Sequence, residues 1–464
     1  MRRRALLILA AGLLIRLVVI LTFVPPVVSD AHDYDLLGRS IAGGLGYSVD
    51  GSPTAYRLPL YPYLLSVSYS VSGSSHAFVK IVQAAADACS AWLVFLIASL
   101  LFSEQVAILA LLIFGFFPIQ ILYTTFLLTE TIFTTLFLFM IWLIVRPQGG
   151  QNTLTSDIVF GLTLGLSLLI KPAAVVALPL YCSRHWSSGT DRKPLWRSLA
   201  IILLVASAVL CPWAIRNYRT FGRFSLTSNA GINFWIGAHD GANGGYAMPR
   251  DDNPLDAFHD EWQRSDEGYK RGIEFIRRQP SAYAFLMLEK SAHFIAVDYM
   301  AQQTFDAVVF HTPDPSKAAR YSDVTALSIV LFQLPFVITL LLATLGLICF
   351  DMKDRAGALF TGGAVLLWLA VHLAVYAGGR YRFPIVPLLI MGAAYAYELI
   401  RERRLTFTPR RLVCVTLLVS FFVMSWCAEY FHAQFRSNTP IVNPDHTGNS
   451  FASLAARPNE ASCK

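Results

Sequence analysis

The sequence predicts an all-α integral membrane protein of about eleven transmembrane helices, and three observations carry that prediction. Of 464 residues, 55% are hydrophobic and only 14% charged, against about a quarter charged in an ordinary soluble chain. The apolar residues come in long runs rather than in periodic stripes, so lipid is the solvent that suits them. Lys and Arg gather at the ends of those runs, as in Arg2, Arg3 and Arg4 and again in Arg401, Arg403 and Arg404, which is what the positive-inside bias produces. The same placement accounts for the formal charge of +7 and argues against nucleic acid as a partner.

Runs long enough to cross a hydrocarbon core of about 30 Å lie at 5–24, 77–101, 105–122, 126–145, 197–214, 325–350, 357–377, 384–400 and 411–428. The first is Arg-rich at its start, and no small-residue cleavage site follows it. It reads as a retained helix rather than a leader. Two shorter runs, 157–170 and 172–182, are broken by Lys171 and Pro172 and form a tight helical hairpin.

With the N-terminus in the cytoplasm, the short basic segments 2–4, 146, 184–197, 353–355 and 401–411 all fall inside. Outside fall a loop at 25–75, a loop at 215–322 and a polar tail. The chain thus divides into an N-terminal membrane region (1–214, with the first loop at 25–75), an outer loop domain (215–322), C-terminal helices (323–428) and an outer tail (429–464), and the outer loops are expected to include a small mixed α/β segment. The inner face has only short connections, so chemistry is expected at the outer face. No internal repeat is visible, which argues against a transporter built from duplicated halves.

Arg16 and Asp87 lie at comparable depth in the first two runs. An unpaired charge there is unfavourable by several kcal/mol, so they are expected to pair. Six cysteines (Cys89, Cys182, Cys211, Cys349, Cys414, Cys427) sit inside apolar runs with no metal-type spacing, and Cys463 stands alone. These read as small buried residues. His239, Asp240, His259, Asp260 and Glu261 lack the helical His-x-x-x-His spacing of a zinc enzyme, so no metal site is assigned to them.

The first outer loop holds the chemistry. It opens with Asp30, Asp33 and Asp35 directly after the first helix, and a carboxylate at a membrane boundary can have its pKa raised toward that of a general base. A solvated polar linker is the competing reading. Glycines 43, 44 and 46 permit tight turns. Arg57 then stands in a rigid Tyr-Arg-Leu-Pro-Leu-Tyr-Pro context, where a fixed guanidinium suits bidentate phosphate recognition.

The order Asp30-x-x-x-Tyr34, a glycine-rich turn, then Arg57-x-Pro-Leu-Tyr61-Pro resembles the first outer loop of the GT-C superfamily. It is most similar to the bacterial branch grouped with protein O-mannosyltransferases and the lipid A aminoarabinose transferase (glycosyltransferase family 39-like). Further along, Glu130 opens the fourth run, and Lys171-Pro172 resembles the family's basic-proline turn. Pro212-Trp213-x-x-Arg216-Asn217 and Arg380-Tyr-Arg382-x-Pro match its later motifs.

The resemblance implies a glycosyltransferase that moves a sugar from a polyprenyl-phosphate donor, undecaprenyl phosphate in most bacteria, to an extracytoplasmic glycolipid, polysaccharide or protein. The chain would sit in the bacterial plasma membrane among its lipids. Asp30 takes the place of the base, with Asp33 the second choice. Glu130 either assists or forms a structural ion pair, and it is the residue that would hold a divalent cation; no cofactor is otherwise implied. Asp33, Tyr34, Arg57, Tyr61, Lys171, Arg216, Asn217, Arg380 and Arg382 are the expected substrate-binding residues, with Arg57, Lys171, Arg380 and Arg382 meeting phosphate and Arg216 and Asn217 projecting at headgroup depth. Two readings of other classes stand beside this one: a transporter or flippase of lipid-linked glycans, and a non-catalytic subunit of an envelope-assembly complex.

Overall fold

The structure is a computed structural model, and it describes residues 2–147, 153–187, 195–249, 253–310 and 325–435. The tail from 436 on with Cys463, the loop segment 311–322 and the basic stretch 188–194 lie outside the described residues.

After α1 (Arg2–Thr22) the first loop folds into regular elements: α2 (Asp30–Ala42), a ribbon of β1 (Ser48–Val49) and β2 (Ser52–Pro53), and α3 (Leu60–Ser72). The ribbon is antiparallel, with Ser48 opposite Pro53 and Val49 opposite Ser52. Its two-residue loop places Asp50 and Gly51 at φ 50° and 77°, the left-handed pair that a type I′ turn requires and that Asp-Gly supplies.

The chain continues through α4 (Ala77–Leu101), α5 (Glu104–Gly115), α6 (Pro118–Tyr123), α7 (Glu130–Val145), α8 (Thr153–Leu168), a 3₁₀ turn at Pro172–Val176, α9 (Ala177–Ser187) and α10 (Leu195–Phe221). The second loop carries α11 (Ala230–Ile236), α12 (Glu261–Arg278), α13 (Pro280–Ile295) and α14 (Tyr299–Phe310). Then come α15 (Ala326–Ser328), α16 (Leu334–Ile348), α17 (Arg355–Leu373), a 3₁₀ stretch at Gly379–Ile385, α18 (Val386–Arg401) and α19 (Pro409–Phe435). The small mixed α/β segment expected in the outer loops is the ribbon with α2 and α3 in the first loop, while the described part of the second loop is helical.

Among the described residues seven helices are long and apolar enough to cross a membrane, and four shorter apolar ones, Glu104–Gly115, Glu130–Val145, Leu154–Leu168 and Pro172–Ser183, fall on the remaining predicted runs. The protein is multi-pass. The predicted run 105–122 is not one helix, because Pro118 offers no amide hydrogen and pushes Phe117 to an extended ψ of 113°. The break at this point delivers Glu130 to the first turn of α7.

α18 forms the centre of the bundle, with 89% of its apolar window buried, against 11% for α19 and 22% for α1. Small residues permit this: a Cβ added at Gly346 of α16 would lie 2.5 Å from the carbonyl oxygen of Gly392 in α18, so the two backbones touch as small-residue pairs allow. Arg16 pairs with Asp87 as expected, its Nε donating to Asp87 Oδ2 at 2.6 Å and its Nη1 to the carbonyls of Gly12 (2.9 Å) and Gly115 (2.8 Å). One guanidinium thereby fastens α1, α4 and the end of α5.

Candidate active site

Four helix ends meet on one side of the bundle. Asp30 and Asp33 share the first turn of α2, just beyond the exit of α1. Glu130 opens α7, Lys171 follows α8, and Arg380 lies in the 3₁₀ stretch that leads into α18. Arg57 arrives from the loop before α3.

Their side chains form a single alternating row of charge. Arg57 Nη2 donates to Asp33 Oδ2 at 2.7 Å and to Asp30 Oδ1 at 2.5 Å. Arg380 Nη2 donates to Asp30 Oδ2 at 2.5 Å, and its Nε stands 3.1 Å from Glu130 Oε1. Lys171 Nζ closes the row on Glu130 Oε1 at 2.8 Å. Three carboxylates thus face three cations. Side-chain exposure separates the row into a floor and a rim: Asp33 and Glu130 are 1% exposed, whereas Asp30 and Arg380 are 20% exposed. The rim is where an incoming molecule touches first.

Burial alone raises the pKa of Asp30, but Arg57 and Arg380 outweigh it and hold the carboxyl far below the usual carboxylate range. The raised value expected from the sequence is therefore not found at Asp30. It is found at Asp33, where burial outweighs Arg57 and pushes the carboxyl up. Directly before Asp30, Ser29 sits at φ 56°, uncommon for a residue with a Cβ; such strain costs about 1–3 kcal/mol and is typical of functional sites.

Aromatic rings frame the row. Arg57 lies between Tyr34 and Tyr56, 5.5 and 5.2 Å from their ring centres. Arg380 lies 5.6 Å from the Tyr381 ring, whose hydroxyl donates to that of Tyr376 at 2.9 Å. Tyr246 meets Tyr376 edge-on at 5.3 Å.

Four expected binding residues are elsewhere. Arg382 is 6% exposed, donates to the carbonyls of Ala296 and Phe294, and stacks on Phe336. In a helix of three residues per turn, positions i and i+2 point about 120° apart, so the two arginines fall on different faces. Arg216 instead donates to the carbonyls of Thr54 (2.7 Å) and Tyr47 (3.0 Å) and packs against Trp213. Asn217 donates to the carbonyl of Ser225 at 2.8 Å. Both fasten α10 to neighbouring loops. Tyr61 is buried, donates to Gln83 Oε1 at 2.6 Å and supports Tyr34 edge-on at 5.2 Å.

Asp35 also leaves the row. It accepts from Arg39 (2.8 Å), Tyr69 (2.5 Å) and His76 (2.9 Å), pinning α2 to α3 and to the start of α4. Sequence reasoning missed Asp298, a buried carboxylate that accepts from Tyr123 at 2.5 Å behind Arg380. The only signal of Asp298 was a lone acid between Val297 and Tyr299. Glu261, weighed in the sequence only as a metal-site candidate, accepts from Thr54 Oγ1 (2.7 Å) and the Ala55 amide (2.8 Å).

A divalent cation does not fit this arrangement. Among the described residues no three His, Cys, Asp or Glu side chains converge, and each carboxylate of the row already faces a guanidinium or ammonium group.

Residues 53–213 match the family model described as dolichyl-phosphate-mannose-protein mannosyltransferase, a segment that includes Arg57, Glu130 and Lys171 but starts after Asp30. No curated protein sequence matches the chain. Among solved structures, the Archaeoglobus fulgidus oligosaccharyltransferase tethered to an acceptor peptide is 14% identical, with 91% of this chain and 54% of that one covered and a TM-score of 0.50. The same organism's AglB with an inhibitory peptide and dolichol-phosphate is 13% identical (94% and 56% covered, TM-score 0.46). ArnT from Cupriavidus metallidurans bound to undecaprenyl phosphate is 16% identical (86% and 80% covered, TM-score 0.41). The chain spans little more than half the length of the archaeal proteins it matches. It is a multi-pass membrane protein of the GT-C fold, similar over residues 53–213 to the dolichyl-phosphate-mannose-protein mannosyltransferases.

Proposed function

We propose that this protein transfers a sugar from a polyprenyl-phosphate carrier to an acceptor at the extracytoplasmic surface of a bacterial plasma membrane. The observation that carries the reading is the partly exposed Asp30–Arg380 pair at the rim of a helical bundle, beside Lys171 and within a ring of tyrosines. The family match over 53–213 supports the donor class. The acceptor is a glycolipid, a polysaccharide or a protein.

The step is a direct displacement. Asp30 takes the proton of the acceptor hydroxyl as that oxygen bonds to the sugar's anomeric carbon. The bond from that carbon to the phosphate oxygen breaks, and its electron pair leaves with the polyprenyl phosphate. Arg380 and Lys171 stabilise the departing charge. Because the donor's tail remains in lipid, its headgroup meets the row at the membrane surface, and the reaction needs no nucleotide-binding fold. Orientation is supported by the basic segments 353–355 and 401–411, which lie at the helix ends opposite Gly379–Ile385.

The test is transfer by the purified chain in lipid nanodiscs from polyprenyl-phosphate-linked sugars. It is paired with mass spectrometry of envelope glycolipids and glycoproteins in cells with and without the gene. A carrier-dependent product that disappears in Asp30→Asn is expected. Unchanged glycans together with no transfer in vitro refute the reading.

A further inference from the structure

We infer that the donor phosphate and Asp30 compete for Arg380, so that the base is released for catalysis only once the donor is bound. This rests on the glycosyl-transfer reading above and concerns the order of events at that same site.

Three geometric facts carry it. Both oxygens of Asp30 are engaged, Oδ1 by Arg57 and Oδ2 by Arg380, each at 2.5 Å. Every cation of the row is already committed: Arg57 to Asp30 and Asp33, Arg380 to Asp30 and Glu130, Lys171 to Glu130. The row has as many carboxylates as cations, so a phosphate arriving at its rim meets no surplus positive charge. It must draw a cation away from a carboxylate, and Arg380, which joins Asp30 to Glu130, is the most exposed of the three cations, at 20% against 15% for Arg57 and Lys171.

A carboxylate held by two guanidiniums is a poor proton acceptor, because both stabilise its ionised form. Losing Arg380 to the phosphate leaves Asp30 with Arg57 alone and makes it a better base. Linkage makes the effect reciprocal: whatever the phosphate does to the hold of Arg380 on Asp30, Asp30 does to the phosphate's affinity. The donor therefore binds before the acceptor is activated. After transfer, Asp30 reclaims Arg380 and helps expel the polyprenyl phosphate. The arrangement also restrains idle chemistry, since without donor no strong base faces water.

The experiment measures binding of undecaprenyl phosphate itself to the full chain in nanodiscs, for the wild type, Asp30→Asn, Glu130→Gln and Asp33→Asn. Thermal unfolding of each variant establishes that it is folded. Competition predicts that Asp30→Asn binds the lipid phosphate about tenfold more tightly, the size of one charge-assisted hydrogen bond in net terms. Glu130→Gln, which frees Lys171 and Arg380 from the other side, tightens binding in the same direction and serves should the first variant fail to fold. Asp33→Asn, which frees Arg57 and not Arg380, tightens binding less than either of the other two. Equal or weaker binding by both Asp30→Asn and Glu130→Gln overturns competition while leaving the transferase reading intact. No binding by the wild type overturns both.

Discussion

Arg16→Met is the perturbation whose size the structure states most directly. Arg16 and Asp87 are 1% and 0% exposed, in helices that the sequence places at matching depth. Removing the guanidinium leaves the Asp87 carboxylate in apolar surroundings, and its Oδ1 already has no hydrogen-bond partner. Breaking a buried pair from one side costs about 3–5 kcal/mol. The loss of the hydrogen bond to Gly115 further loosens the contact of α1 with α5. Asp87→Leu alone carries a similar cost, since it strands the arginine. The double variant Arg16→Met/Asp87→Leu recovers most of the loss, because apolar residues of similar volume replace a buried pair at little or no cost. The assay is unfolding in nanodiscs by heat or denaturing detergent, run as a double-mutant cycle. Single variants that lose less than about 1 kcal/mol, or a double variant as unstable as the sum of the two, would refute the argument that this pair is a structural rivet.

Three further outcomes are expected. The depressed Asp30 pKa means that its contribution to stability is present above the unfolded-chain value of 3.8 and falls as pH drops toward the folded value; unfolding followed from pH 7 to pH 3 should show this acid limb, and Asp30→Asn should flatten it. Asp33, raised by burial, works in the opposite sense, so Asp33→Asn should stabilise the fold slightly at neutral pH by the same measurement. Gly346→Leu places a side chain against the Gly392 carbonyl and should cost about 1–3 kcal/mol or more, visible as lost yield of folded protein with no change in the site itself.

Much of this fold was legible because a membrane solvent simplifies the problem. Apolar runs had to be helices, and the Arg16–Asp87 pair followed from cost alone. The site was partly legible for a different reason: Asp30, Glu130, Lys171 and Arg380 all stand at helix ends on one side, and alternation of the spans brings such ends together. What stayed hidden depended on local geometry. Arg380 and Arg382 diverge at this spacing in either kind of helix, but the carbonyls of Phe294 and Ala296 that receive Arg382 belong to a distant segment and leave no mark beside it. The conversion of Arg216 from a ligand candidate into a loop fastener depends on where the carbonyls of Tyr47 and Thr54 come to lie, two segments nearly 170 residues away in sequence. The mutual pairing of six charges could not be read from residues scattered between positions 30 and 380, and it is what inverted the expected basicity of Asp30.

The all-round burial of α18 has a consequence for biogenesis. A helix wrapped by its own protein meets lipid over little of its surface, and its window has the lowest mean hydropathy of the seven long apolar helices among the described residues. Such a segment partitions into a bilayer less readily than the other six and gains more of its hold from its neighbours. Arg380 rides on the leading end of this segment, so the row of charges is completed only when the bundle closes around it, and a half-assembled chain carries an incomplete row.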